Sequence, residues 1–211
     1  MSKIIVFGAG GRAGRAAVAE ALQRGHHVTA VVRNPGKYHD LEGAGVRLLA
    51  GDVTDTDTVA DLAAGHDAAI MAAYDAGAQP DVFFTAAAHA LLDGLARAGV
   101  GRLVAVGLAA TLETADGTPL MDTPGFPQEY RPFCLAHAAG TTVLHASVTA
   151  VDWLVVSPAG DFANAEACSG RYSVVGVDMD SRVSHSDFAL ALLDEIDTPR
   201  HHRVQIGVEG A

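Results

Sequence analysis

Six short apolar runs recur along the chain: residues 4–7, 28–32, 46–50, 68–73, 102–106 and 153–156. Each is apolar almost throughout, without the apolar-polar alternation of a half-exposed strand, which is the pattern of strands buried on both faces of a parallel sheet. The segments between them carry helical spacing. In residues 11–25, Ala17, Ala21 and Leu22 share one face and Gly25 supplies a stop. Residues 54–65, 80–99 and about 133–147 follow the same plan. Strand and helix therefore alternate, and this predicts a doubly wound, mostly parallel α/β sheet with right-handed crossovers, a single Rossmann-fold domain spanning residues 1–211.

Two regions depart from that rhythm. Residues 109–132 hold Pro119, Pro124, Pro127 and Pro132 with Gly117 and Gly125, and predict a long loop, either a lid over a binding site or a surface excursion. The C-terminal third predicts a strand near 171–175, a helix near 186–195 capped by Ser186 or Asp187, and a last strand near 203–208. It is expected to form a small substrate-side region.

Composition narrows the class. Hydrophobic residues make up 49% and charged ones 18%, with mean hydropathy +0.22, too apolar for a disordered chain. No apolar run approaches the ~18 residues of a membrane span, and the N-terminus lacks the charged-then-apolar layout of a signal peptide, so no membrane partner is expected. A formal charge of -11 repels a phosphate backbone and argues against nucleic acid. Cys134 and Cys168 stand apart with no CxxC spacing, which suits a reducing cytoplasm. A small-molecule substrate, and a monomer or homodimer, fit what remains.

The chemistry begins at "VFGAGGRAG", where Gly8, Gly11 and Gly14 follow the first strand and open the first helix. Glycines there let the chain turn tightly, let backbone approach a pyrophosphate and let the helix pack closely on the sheet. The free N–H groups of the helix then face the phosphates. The second strand ends in Arg33, where an NAD-preferring site would place an acidic residue for the ribose 2′-hydroxyl. A guanidinium suits a 2′-phosphate, with Arg12 as a second contact, so NADP(H) is the expected cofactor. Asp52 ends the third strand and either borders the adenine or caps the helix beginning near Thr54.

With "FGAGGRAG", "VVRNP", "LLAGDVTD" and "VDWLVVSPAGDF" placed, the chain resembles the atypical short-chain dehydrogenases, in particular the NAD(P)H-binding group that contains biliverdin reductase B and the NmrA-like proteins. The resemblance spans nearly the whole length. It implies that Gly8, Ala9, Gly10, Gly11, Arg12 and Ala13 line the pyrophosphate, Arg33 the 2′-phosphate, and Asp52 with Val53 the adenine. It places Ala72, Ala73 and Tyr74 beside the cofactor, and Gly107, Leu108, Ser157, Pro158 and Ala159 near the nicotinamide.

Classical members of the wider superfamily use a Tyr as proton donor and a Lys four residues later. That pair is absent, because the only lysines are Lys3 and Lys37. Phe133 and His137 stand at its spacing, and the fifth strand ends without the Ser common in relatives, although Thr111 follows. A ketone needs a placed general acid worth about 10²- to 10⁴-fold, whereas a flavin or quinone delocalises the incoming charge and can take its proton from solvent. The expected activity is therefore NADPH-dependent hydride transfer to a flavin, quinone or similar conjugated acceptor. A catalytically silent NADP(H) sensor, and a carbonyl reductase with His137 as acid, are the alternatives. His137 is the side chain best suited to a catalytic proton role; the alternative is a polar helix residue touching loop or solvent. Tyr74 either stacks on a bound ring or packs, Trp153 reads as core, and His145 reads as a polar helix residue. His26, His27, His201 and His202 read as exposed element ends with no carboxylate at ligand spacing, so no metal is expected.

Overall fold

The computed structural model describes residues 1–163 and 168–211. Strands β1 (Lys3–Phe7), β2 (His27–Val32), β3 (Val46–Ala50), β4 (Ala68–Met71), β5 (Arg102–Val106) and β6 (Asp152–Pro158) lie parallel in one sheet. β10 (Val204–Gly210) adds parallel to β6, and β8 (Tyr172–Val175) closes that edge antiparallel to β10. The order β3-β2-β1-β4-β5-β6-β10-β8 reverses direction between β1 and β4, which opens a crevice at the C-terminal ends of those strands. β7 (Asp161–Phe162) and β9 (Arg182–Val183) pair separately.

Helices α1 (Arg12–Gln23) and α5 (His185–Asp197) cover one face, and α2 (Thr56–Ala63), α3 (Pro80–Ala98) and α4 (Arg131–Ala146) the other. Successive strand residues feed opposite cores, Ile4 and Val6 joining the α1/α5 side while Ile5 and Phe7 join the α2/α3/α4 side. Leu154 and Val156 divide from Trp153 and Val155 in the same way. Burial on both faces is why these runs carry no alternation.

Several boundaries differ from the sequence expectation. Ala72 and Ala73 lie beyond β4, which stops at Met71. α4 starts at Arg131 and takes Pro132 into its first turn, where a missing N–H costs no helical hydrogen bond. The cap of α5 is Ser184, not Ser186 or Asp187: its Oγ accepts from Asp187 N–H at 2.9 Å and donates to Asp187 Oδ2 at 2.9 Å. Asp187 is buried and also accepts from Ser169 N at 3.0 Å and Gly170 N at 2.8 Å. Burial opposes its charge, but these donors hold its carboxyl below the usual range.

The 109–132 segment is a folded excursion. Its three 3₁₀ turns, Ala109–Thr111, Leu120–Asp122 and Gln128–Tyr130, tuck Leu112, Leu120 and Met121 out of solvent. Arg131 ties the segment to α4 by donating to Met121 O at 2.6 Å and pairing with Asp122 at 2.6 Å.

At the edge where the strands begin, Arg102 is buried between Asp152 (2.7 Å) and Glu195 (3.1 Å). His201 and His202, expected as exposed element ends, bond Glu195 (2.6 Å) and Asp152 (2.8 Å) in this same cluster, with His202 exposed as expected. His26, by contrast, is not an exposed end: it is buried, accepts from Ser2 N at 3.1 Å and lies 3.1 Å from Asp197. The histidines therefore tie α5 and the preceding turns to the sheet.

Candidate dinucleotide and acceptor site

The glycine loop between β1 and α1 is pressed between two neighbours. Gly8 has φ +82°, and a Cβ there would stand 2.4 Å from the backbone of Ala73. A Cβ at Gly14 would stand 2.2 Å from Gly8 O, so only glycine lets α1 sit on the loop. Gly11 is different, because its nearest neighbour to such a Cβ is 3.6 Å away. A Cβ there would make ordinary van der Waals contact with Gly8 O and Ala72 O and clash with neither. Gly11 is also the N-cap of α1 and brings no side-chain cap, leaving first-turn N–H groups uncapped beside the crevice that Gly11 and Arg12 line.

The crevice is a groove of about 610 Å³. Of the residues expected at a cofactor, Gly8, Gly10, Gly11 and Arg12 line it from the glycine loop, Arg33, Asp52 and Val53 from the ends of β2 and β3, and Ala72, Ala73 and Tyr74 from the end of β4. Ala9, Ala13, Gly107, Leu108, Ser157, Pro158 and Ala159 are not part of its lining. Ala9, Ser157 and Ala159 are fully enclosed, with Ala9 N–H bonded to Val31 O at 3.3 Å. Ser157 Oγ is engaged by Gln205 Nε2 at 2.8 Å, which also donates to Thr111 Oγ1 at 2.7 Å. Thr111 in turn donates to Leu108 O at 2.9 Å.

Where β2 and β3 end, Arg33 is ion-paired with Asp75, a residue that no motif in the sequence marks. Asp75 Oδ1 accepts from Gly77 N–H at 2.9 Å. The guanidinium, followed by that N–H, holds its carboxyl below the usual carboxylate range. Asp52 accepts from Thr54 N at 2.9 Å and Thr54 Oγ1 at 2.7 Å. It does not cap α2, whose cap is Asp55, accepting from Thr58 N at 2.6 Å. Asn34, Lys37 and Tyr38 also line the groove. The Tyr38 ring fills the space beside Gly10, where a Cβ would approach it to 2.4 Å. Arg15 stands 5.6 Å above that ring, bonds Gly10 O at 3.0 Å and pairs with Asp40. The only sequence signal for this wall was the basic "RNPGK" stretch after β2.

Beyond the end of β4 stands an aromatic wall. Tyr74 stacks on Phe84 at 6.0 Å and meets the edge of Phe133 at 5.2 Å. His137 lies one turn along α4, with its ring 4.4 Å from Phe84. Its Nδ1 is shut off from solvent and has no hydrogen-bond partner. Beside it is an apolar cavity of about 50 Å³ lined by residues such as Met71, Leu103, Leu144 and Val155. Burial drives the imidazole down to about 4, with only partial relief from its own carbonyl and that of Val106. Trp153 packs in the core as expected, with the exposed His145 edge-on at 4.7 Å.

A strand, a glycine loop uncapped at a helix N-terminus and a groove at the sheet's reversal point form a dinucleotide site. The chain matches the NAD(P)H-binding family over residues 8–199. It belongs to that family. It is 36% identical over 208 residues to YwnB of Bacillus subtilis, a protein of uncharacterized function, with 94% of each chain covered. Among solved structures it is similar to a "putative exported protein" of Burkholderia pseudomallei, at 37% identity and TM-score 0.85, covering 99% of this chain and 100% of that one. It is also similar to a "putative NADH-flavin reductase" of Streptococcus pneumoniae, at 30% identity and TM-score 0.83, covering 100% of both. This NAD(P)H-binding protein takes a nicotinamide cofactor, and among its described residues no helix is long and apolar enough to cross a membrane.

Proposed function

We propose that this protein is an NADPH-dependent reductase that passes hydride to a flavin, quinone or similar conjugated small-molecule acceptor. The observation that carries the reading is the absence of a usable acid where the superfamily keeps its Tyr and Lys: Phe133 has no hydroxyl, and His137 is neutral at physiological pH because burial lowers it to about 4. The description of the Streptococcus pneumoniae relative, a "putative NADH-flavin reductase", agrees in acceptor class.

The residues present fit the cofactor. Gly11 lines the groove without a side chain, the first turn of α1 offers N–H donors to a pyrophosphate, and Arg33, Lys37 and Arg12 supply positive charge for a 2′-phosphate. Bound NADPH supplies a hydride, and one proton from solvent completes the two-electron reduction of the acceptor. Tyr74, half-exposed and braced by Phe84 and Phe133, gives a flat apolar surface against which a planar ring can lie. The wall orients the acceptor and excludes water from one side, and orientation is most of what such a reaction asks of a protein. The two unpaired cysteines suit a cytoplasmic setting.

The test is His137→Ala. Under this reading turnover falls by less than about tenfold, below the usual worth of a general acid. A loss of about 10²-fold or more in a folded variant that still binds NADPH, with loss of a pH limb near the imidazole's ordinary titration, assigns carbonyl reduction through His137 instead.

A further inference from the structure

Resting on the NADPH reading above, we propose that Asp75 is a specificity-determining residue that sets the NADP(H)-to-NAD(H) preference by competing with the 2′-phosphate for Arg33. The ion pair spans the adenosine half of the groove, from the end of β2 to the turn after β4. The main groove and a neighbouring hollow of about 360 Å³ share Arg33, Asp52, Asp75 and Phe83, so the pair stands between two parts of one trough.

The two halves of the pair are not equivalent. Asp75 has a side chain 19% exposed, and its Oδ1 is fixed by Gly77 N–H at 2.9 Å, leaving Oδ2 aimed at Arg33. Arg33 is 60% exposed on a long stem, so it is the half that can turn away. Asp52 acts on Arg33 only through space, because its own Oδ1 is held by Thr54. Lys37 lines the same groove. A phosphate offers the guanidinium two charge-assisted hydrogen bonds and more negative charge than a carboxylate, so it wins Arg33, but against a standing competitor. A ribose 2′-hydroxyl offers no such exchange, and NADH leaves the pair closed.

Asp75→Asn keeps the shape and the Oδ1 acceptor for Gly77 while removing the charge. An exposed carboxylate-arginine pair costs the competing ligand a few-fold, so NADPH affinity measured by titration calorimetry rises about three- to tenfold while NADH affinity changes less than about twofold. The gain disappears in an Arg33→Ala background, because nothing is left to compete for. Asp57→Asn, which removes one charge from the exposed pair with Arg97 outside the groove, serves as the control and leaves both affinities unchanged. If the Asn variant is unstable, Asp75→Ser reports the same quantity. Equal gains for both cofactors, no gain, or a gain that survives Arg33→Ala would overturn the proposal. Failure of the underlying reading looks different: Arg33→Ala alone would then weaken NADPH and NADH equally.

Discussion

His137→Phe separates a titrating ring from one that only packs. The unfolded chain binds a proton on this imidazole near its ordinary 6.5, and the folded protein refuses it until about 4. Stability from this group is therefore complete above the ordinary value and is lost as pH falls through the window between the two. Linkage puts the loss at about 2 kcal/mol between about pH 7 and about pH 5, and about 3 kcal/mol once both states are protonated. Phenylalanine keeps the aromatic contact with Phe84, removes the unpartnered Nδ1 and has the adjoining cavity of about 50 Å³ to expand into. At about pH 7 the variant is as stable as the parent or slightly more so, since an unsatisfied buried polar atom is gone. At about pH 5 it is the more stable by about 2 kcal/mol. Urea unfolding of both proteins at the two pH values reads this directly. Equal loss of stability on acidification in parent and variant would refute the buried, neutral imidazole and, with it, the argument that the site lacks an acid.

Gly11→Val leaves the fold intact, because its Cβ meets nothing closer than 3.6 Å, but projects into the groove; the folded variant loses NADPH binding in calorimetry. Gly14→Ala instead drives a Cβ to 2.2 Å from Gly8 O and lowers thermal stability before any cofactor is added. Arg102→Met leaves Glu195 and Asp152 with only His201, His202 and backbone donors at the lower edge of the sheet and costs about 3 kcal/mol in chemical denaturation, with cofactor selectivity unchanged.

The sheet and its helices could be read from the chain because burial on both faces leaves an unbroken apolar run, and the intervening helices keep their spacing. What escaped depends on contacts rather than pattern. β7 and β9 have two residues each, too few to show a period. In "SHSD" two serines compete for the cap of α5, and Ser184 wins because it alone stands three residues before Asp187. The glycine loop was legible because a close backbone approach can be written only in glycine. Asp75 and Tyr38 were not, since each meets the groove only after its turn folds back across it. Gln205 reaches Thr111 across 94 residues of sequence. The neutrality of His137 comes from its burial between α4, α3 and the sheet, which no local spacing records.

What the bound cofactor reduces decides the function of this protein. Stopped-flow NADPH oxidation by the purified protein, against free flavins, quinones and simple ketones under anaerobic conditions, measures that directly. Rapid oxidation with flavins or quinones and none above background with ketones is the predicted result. Turnover of ketones at comparable rates, or tight NADPH binding with no oxidation by any acceptor, would contradict it.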